Sequence, residues 1–397
     1  MAKTKEEKES KPKIKSVIER YGEKHKEDHY NGIQDFTYKY SSGSIKLDAA
    51  LDGGYGPGII RKSGSSEGGK SASTLEEAAN FLEVVPRSKV LYIKAEGRLS
   101  EKMKARCGIK FTEDFSKWDV GTCLVLKSNI FDSLAQLIFD LVTDNPEDFK
   151  FLIVIDSMDG LILKADVKKS FDGDESVKVA GPQVLTKRLL KQVGLPIATF
   201  GHVLVLIAQV SAHIAPKYDV KDQLSVGGSG GNAQIHFSNI SMEYRPRNKS
   251  DYITKNGEKE VKLDFETNNT IGHWCKVTIR KSENESTGLT VRYPVKYKVK
   301  NGSAIWSELE VRGMLISYGL LTVKKAANEF SPYFVEEMRA RGLDFPDKVN
   351  GENKCNVFLA RPDIFPTIKK YLNEFASNDE IDLSSDEEIE IQEEENL

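Results

Sequence analysis

The chain has 397 residues, with 57 Lys and Arg against 60 Asp and Glu, 6 His and 4 Cys. The formal charge of −3 is a cancellation: from Tyr371 onward there are 11 acidic residues and no Lys or Arg, which leaves residues 1–370 with 49 acidic against 57 basic side chains, a net of +8. A basic body with an acidic tail suits a polyanionic partner, the tail acting as competitor or as plain solubiliser, while the lack of a CxxC pair and of any apolar run near the ~18–20 residues of a membrane span excludes metal-finger and membrane-spanning classes.

The length suggests two or three folded units. Residues 1–12 are charged and predict a disordered arm, and Met1 to Lys15 has no apolar stretch behind it, so it does not read as a secretory signal. Cys107, Cys123, Cys275 and Cys355 are scattered, which suits a reducing cytoplasm where thiols serve packing. Ile14, Val17, Ile18 and Tyr21 fall on one helical face, and so short a helix must dock on its own body or on a neighbouring copy. Asp28 to Asp35 reads as a linker.

Between about residues 40 and 300, β-branched runs alternate with helical segments. Ile59–Ile60 leads to a Gly-rich turn and a helix from Ser71 to Val85. Val90–Ile93 predicts a strand, Phe131–Val142 a helix, Phe151–Ile155 a buried strand, Gln183–Val193 a helix and Val203–Ala208 another buried strand. Such alternation predicts a mostly parallel α/β sheet flanked by helices. Ile240–Tyr244, Cys275–Ile279 and Val291–Val299 lack intervening helices and predict an antiparallel extension. Past Gly302 a small α/β domain begins, its recognisable segments being helices at Glu308–Tyr318, Pro332–Arg341 and Pro362–Phe375. The predicted organisation is an arm at 1–37, a core at 38–300, a small domain at 301–377 and a disordered acidic tail at 378–397.

Gly64-Ser65-Ser66-Glu67-Gly68-Gly69-Lys70-Ser71 fits G-x-x-x-x-G-K-[ST], between an apolar strand and a helix continuing through Ala72. Glycines let backbone N–H groups curl around phosphate oxygens, and the helix N-terminus adds its positive dipole. In this pattern Lys70 reaches the β- and γ-phosphates and the Ser71 hydroxyl ligates Mg²⁺. Asp156 ends the strand Phe151–Ile155, where a carboxylate can hold the metal through water; an Asp capping the next helix is the plain alternative. Glu96, after the strand Val90–Ile93, is a candidate base for hydrolysis, and Gln209, after Val203–Ala208, a candidate sensor of the γ-phosphate.

These elements, in this order, resemble the RecA family of homologous-recombination ATPases, bacterial RecA and phage UvsX-like recombinases. The likeness covers residues 38–300. It rests on Ser42-Gly43-Ser44-Ile45-Lys46-Leu47-Asp48, on the phosphate loop, on Lys94-Ala95-Glu96, on Ile153-Val154-Ile155-Asp156-Ser157 and on Gly230-Gly231-Asn232-Ala233. The resemblance implies a RecA-like core with ATP and Mg²⁺ as cofactors. It implies a helical homo-oligomeric filament on single-stranded DNA, pairing with homologous duplex, and mediator and single-strand-binding proteins as partners. It places such a protein in a bacterial or phage-infected cytoplasm. It makes Glu96 the residue that activates water and Gln209 the γ-phosphate relay, puts Met103 against the adenine, and makes Lys281 a cation reaching a neighbouring subunit's ATP. Two loops, after Asp156 and Gln209, would line the filament axis. Lys168, Lys169 and Lys178 in the first, and Lys217, Tyr218, Lys221, Gly230, Gly231 and Asn232 in the second, are the candidate DNA-binding residues. Lysines, flexible glycines and one aromatic suit single-strand binding, although by itself the same composition fits a solvated loop.

The sequence departs from the family pattern at Lys94, where members have Asp; at Met103, where bacterial members have Tyr; and at Glu283, where a second lysine is common. Two other readings share the core: a hexameric helicase or related motor, and a nucleotide-binding paralogue that regulates a recombinase without hydrolysis.

Overall fold

In Phe151-Leu152-Ile153-Val154-Ile155 every side chain is apolar, a pattern stable only in a strand covered on both faces. The computed structural model of the protein buries that strand along its whole length. The structure describes residues 15–26, 28–31, 33, 36–167, 181–209, 231–258, 260–300 and 302–378. Their contacts separate into two units, the described residues of Met1–Asp35 and those of Phe36–Leu397.

In the first unit, helix α1 (Val17–Lys24) starts at a capping box: Ser16 Oγ accepts from Glu19 N, and Glu19 returns a carboxylate to Ser16 N. Val17, Ile18 and Tyr21 are exposed on it, and Ile14 lies outside the described residues.

The second unit opens with helix α2 (Ile45–Ala50), followed by strand β1 (Gly58–Gly64), helix α3 (Lys70–Val84) and strand β2 (Ser88–Lys94). A short helix α4 (Glu101–Lys104) leads to β3 (Lys110–Thr112) and β4 (Thr122–Lys127), then to α5 (Phe131–Thr143) and β5 (Lys150–Asp156). Next come α6 (Gly181–Thr199), β6 (Val203–Gln209), α7 (Gly231–Phe237), β7 (Ile240–Tyr244), β8 (Tyr252–Thr254), β9 (Thr270–Lys281) and β10 (Thr290–Lys296).

Among the described residues these strands form one ten-stranded sheet, ordered β10-β9-β7-β1-β6-β5-β2-β4-β3, with β8 also on β9. From β3 to β7 all neighbours are parallel. The fold is thus mixed α/β, with a large, mostly parallel sheet flanked by helices. Alternate side chains of each central strand feed two cores. Ile60, Tyr92, Val154 and Val205 pack with Leu75, Ala78 and Phe81 of α3. Ile59, Ile93, Ile153 and Leu204 pack with Leu134 and Ile138 of α5 and with Leu189 and Val193 of α6.

One sequence expectation is corrected. Ile240–Tyr244 belongs to the parallel part on one side, with Ile60 opposite Ile240, and is antiparallel only to β9. The seven-residue helix α7 supplies the crossover that returns the chain in the same direction, and the Gly-rich stretch before it hid that helix. The extension proper is β8, β9 and β10.

Residues 302–378 contribute α8 (Glu308–Ser317), β11 (Leu321–Lys324), β12 (Ala327–Phe330), α9 (Pro332–Ala340), β13 (Lys348–Asn350), α10 (Glu352–Leu359) and α11 (Phe365–Asn378). The three strands, too short and polar to be legible, form an antiparallel sheet. Phe330, Phe334, Phe345 and Leu359 build a separate core that takes in Ile45 of α2. Beside it, buried Glu310 accepts from Ser44 Oγ at 2.6 Å and from Ile45 N at 2.8 Å. The four cysteines are free and buried. No helix among the described residues is long and apolar enough to cross a membrane.

Candidate phosphate-binding cleft

The loop from Gly64 to Gly69 joins the end of β1 to the start of α3, so its backbone sits where a parallel sheet leaves a crevice beyond its carboxyl ends. Gly64 has φ 141° and packs so closely on β7 that a Cβ would lie 2.1 Å from the Tyr244 carbonyl oxygen. No other residue fits there without moving the strand. Lys70, nearly buried, folds back over the loop and donates to the carbonyl oxygens of Gly64 and Ser65, each at 2.7 Å. Burial pulls its ammonium below the usual lysine range, against the attraction of Asp156 and other acids. From below, Cys275 Sγ donates to the Gly68 carbonyl at 3.1 Å, and burial pushes this thiol up to about 11, so it packs rather than reacts.

Three further strand ends meet this loop. Asp156, closing β5, accepts on Oδ2 from Ser71 Oγ at 3.1 Å, Tyr92 O–H at 2.6 Å and Lys94 Nζ at 2.9 Å. Glu96, just past β2, accepts from Ser157 Oγ at 2.7 Å and from Gln209 Nε2 at 3.1 Å. Gln209 ends β6, and its backbone N–H donates to Asp159 Oδ2 at 2.6 Å. Gly160 makes room for this arrangement, since a Cβ there would stand 2.4 Å from Glu96 Cγ.

Ser66, Glu67, Gly68, Gly69, Lys70, Ser71, Ala72, Glu96, Met103, Asp156 and Gln209 line one cleft of about 440 Å³. This volume falls in the range of small-molecule sites. The opposite wall comes from residues with no site role assigned from sequence: Arg106 after α4, Arg247 before β8, His273 on β9, and Val295 and Tyr297 at the end of β10. Arg247 bridges the cleft, donating to Glu67 Oε2 at 3.1 Å and to the Tyr297 hydroxyl at 2.8 Å. His273 packs against Tyr297, ring centroids 5.4 Å apart. Burial, then Arg247 and Arg106, push its imidazole down to about 4, which keeps it neutral at physiological pH. Nothing local marks these residues; the pairing of β8 to β10 and the turn after α4 bring them over the loop.

Lys281 is not in the cleft. It lies toward the other end of β9, opposite Ser241, and its Nζ donates to the carbonyl oxygens of Ile235 (3.3 Å) and His236 (2.8 Å) at the end of α7. Glu283 accepts from Asn239 Nδ2 at 2.5 Å. It lines a second cavity, about 530 Å³, at the amino ends of β1 and β7, beside Tyr38, Pro57 and Gly58. That cavity is larger and its lining includes Lys39, Asp52 and Glu283, but the Gly-rich loop, Glu96, Asp156 and Gln209 all face the cleft instead. Gly231 and Asn232 open α7, with Asn232 exposed, whereas Lys168, Lys169, Lys178, Lys217, Tyr218, Lys221 and Gly230 lie outside the described residues.

The chemistry on offer is anion binding by Gly-rich backbone, a helix start and Lys70, with carboxylates a few ångströms away. The described residues contain no group of three or more His, Cys, Asp or Glu able to cage a metal ion. The oxygens of Ser71 and Asp156 fit Mg²⁺, which keeps much of its shell as water and phosphate oxygens. No protein-family model matches the chain, and no curated protein matches it either.

Proposed function

We propose that the chain is a RecA-like, DNA-dependent ATPase that forms ATP-bound filaments on single-stranded DNA and carries out homologous pairing. The reading rests chiefly on one observation. Lys70, Ser71, Asp156, Glu96 and Gln209 converge at the carboxyl ends of four adjacent parallel strands, with Glu96 tied to both Ser157 and Gln209. The sequence segments resembling the RecA family support the recombinase assignment.

In this proposal the loop N–H groups and Lys70 hold the triphosphate, while Met103, Val295 and Tyr297 offer an apolar slot for the base. Ser71 directly, and Asp156 through water, would hold Mg²⁺, which supplies neutralisation of phosphate charge. Glu96 orients the attacking water and accepts its proton; Ser157 and Gln209 hold its two oxygens in place. Gln209 also leads directly into the second candidate DNA loop, so a change in its contact with Glu96 couples the phosphate site to DNA. Lys281, capping α7 outside the cleft, acts on phosphate only in a neighbouring subunit.

The second reading, a nucleotide-binding regulator without hydrolysis, draws on Glu283 and on the ion pair of Lys94 with Asp156. Measuring ATP turnover with and without single-stranded DNA, at two salt concentrations, separates the two. The proposal expects DNA to raise the rate, with stimulation falling steeply as salt increases. A rate that DNA leaves unchanged favours the regulator.

A further inference from the structure

Lys94 ends β2 directly beside Asp156 in the sheet register. Its ammonium lies 2.9 Å from Asp156 Oδ2, the oxygen that also accepts from the Ser71 hydroxyl. The side chain is 15% exposed and lines the cleft together with Lys70 and Glu96. An ammonium carries three donors, so the bond to Asp156 leaves others to face the cleft.

The electrostatic consequence is specific. A carboxylate paired with an ammonium has little net charge, so its pull on a divalent cation is weakened. The same pair brings a second fixed positive charge, after Lys70, to the phosphate end of the cleft. Charge-assisted hydrogen bonds from such a group to phosphate oxygens are among the stronger polar contacts.

Resting on the nucleoside-triphosphate site proposed above, we propose that Lys94 is a phosphate-contacting cation acting within its own subunit. It takes over part of the charge neutralisation otherwise left to Mg²⁺, so triphosphate binding survives removal of the divalent ion.

The test is calorimetric titration of the full chain with ATP, in excess Mg²⁺ and in EDTA, for the wild type, Lys94→Met and Lys94→Arg. Wild-type affinity should fall less than about tenfold on metal removal. Lys94→Met should bind more weakly than wild type in both conditions, but its loss in EDTA should exceed its loss in Mg²⁺ by at least about tenfold, with Lys94→Arg largely restoring the difference. A Met-to-wild-type ratio that is equal in the two conditions overturns the proposal, because a merely structural ion pair would lower both affinities alike. Loss of all wild-type binding in EDTA also overturns it, and that result does not depend on the variants folding. Absence of wild-type ATP binding even in Mg²⁺ strikes instead at the nucleotide reading beneath it.

Discussion

Gln209 Nε2 donates to Glu96 Oε2 at 3.1 Å, joining the end of β6 to the turn after β2. The other carboxylate oxygen of Glu96 accepts from Ser157 Oγ at 2.7 Å, so neighbouring strand ends hold both oxygens. In the proposed ATPase, Glu96 held in this way is the base that orients the water beside the phosphate loop. Glu96→Gln should therefore lower ATP turnover by about 10²–10⁴-fold while leaving ATP affinity nearly unchanged. Single-turnover kinetics alongside equilibrium titration check this; turnover within tenfold of wild type would remove Glu96 from that role.

Gly160 tests the same carboxylate through packing. An Ala Cβ would stand 2.4 Å from Glu96 Cγ and 3.1 Å from the Ala95 carbonyl oxygen, so Glu96 must leave its position. Gly160→Ala should cut kcat by about tenfold or more with little change in KM. An unaltered kcat would show that the placement of Glu96 does not matter.

Glu310 makes the stability of the unit pH-dependent. Burial holds its carboxyl up to about 8, against the donors Ser44 and Ile45, which pull it down. The unfolded chain ionises it at about 4.3, so between these values the folded state keeps a proton that the unfolded state has lost. Its contribution to stability is complete below this window and is lost as pH rises through about 8. Glu310→Gln should flatten that part of the profile by an amount on the order of 1 kcal/mol per pH unit. Urea midpoints of both proteins from pH 5 to about 9 give the comparison; parallel profiles would refute it.

Lys62 and Glu77 tie β1 to α3 on either side of the phosphate loop. Both side chains are wholly buried, 2.5 Å apart, and Tyr40 O–H also donates to Glu77 at 3.0 Å. Lys62→Met leaves a buried carboxylate without its cation and should cost about 3–5 kcal/mol. Adding Glu77→Gln should recover much of the loss in chemical unfolding. A single variant as stable as wild type would mean that Glu77 takes up a proton at little cost.

The sequence by itself determined what local patterns encode. Two-sided apolar runs marked β5 and β6 as central strands, and G-x-x-x-x-G-K-S placed a tight, N–H-lined turn before α3. It also picked out Glu96, Asp156 and Gln209, because a polar residue ending a buried apolar strand stands out. Tertiary structure alone decided which of these meet. The order β1-β6-β5-β2 sets their strand ends side by side, and no residue-to-residue spacing in the chain carries that order. Arg106, Arg247, His273 and Tyr297 were illegible because they reach the cleft only through the pairing of β8 to β10 and the turn after α4. The same register directs Lys281 away from the cleft and sets Lys94 against Asp156. Strand pairing joins residues far apart in the chain through backbone hydrogen bonds that any side chain permits. The chain therefore declares its strands locally, and their neighbours emerge only on folding.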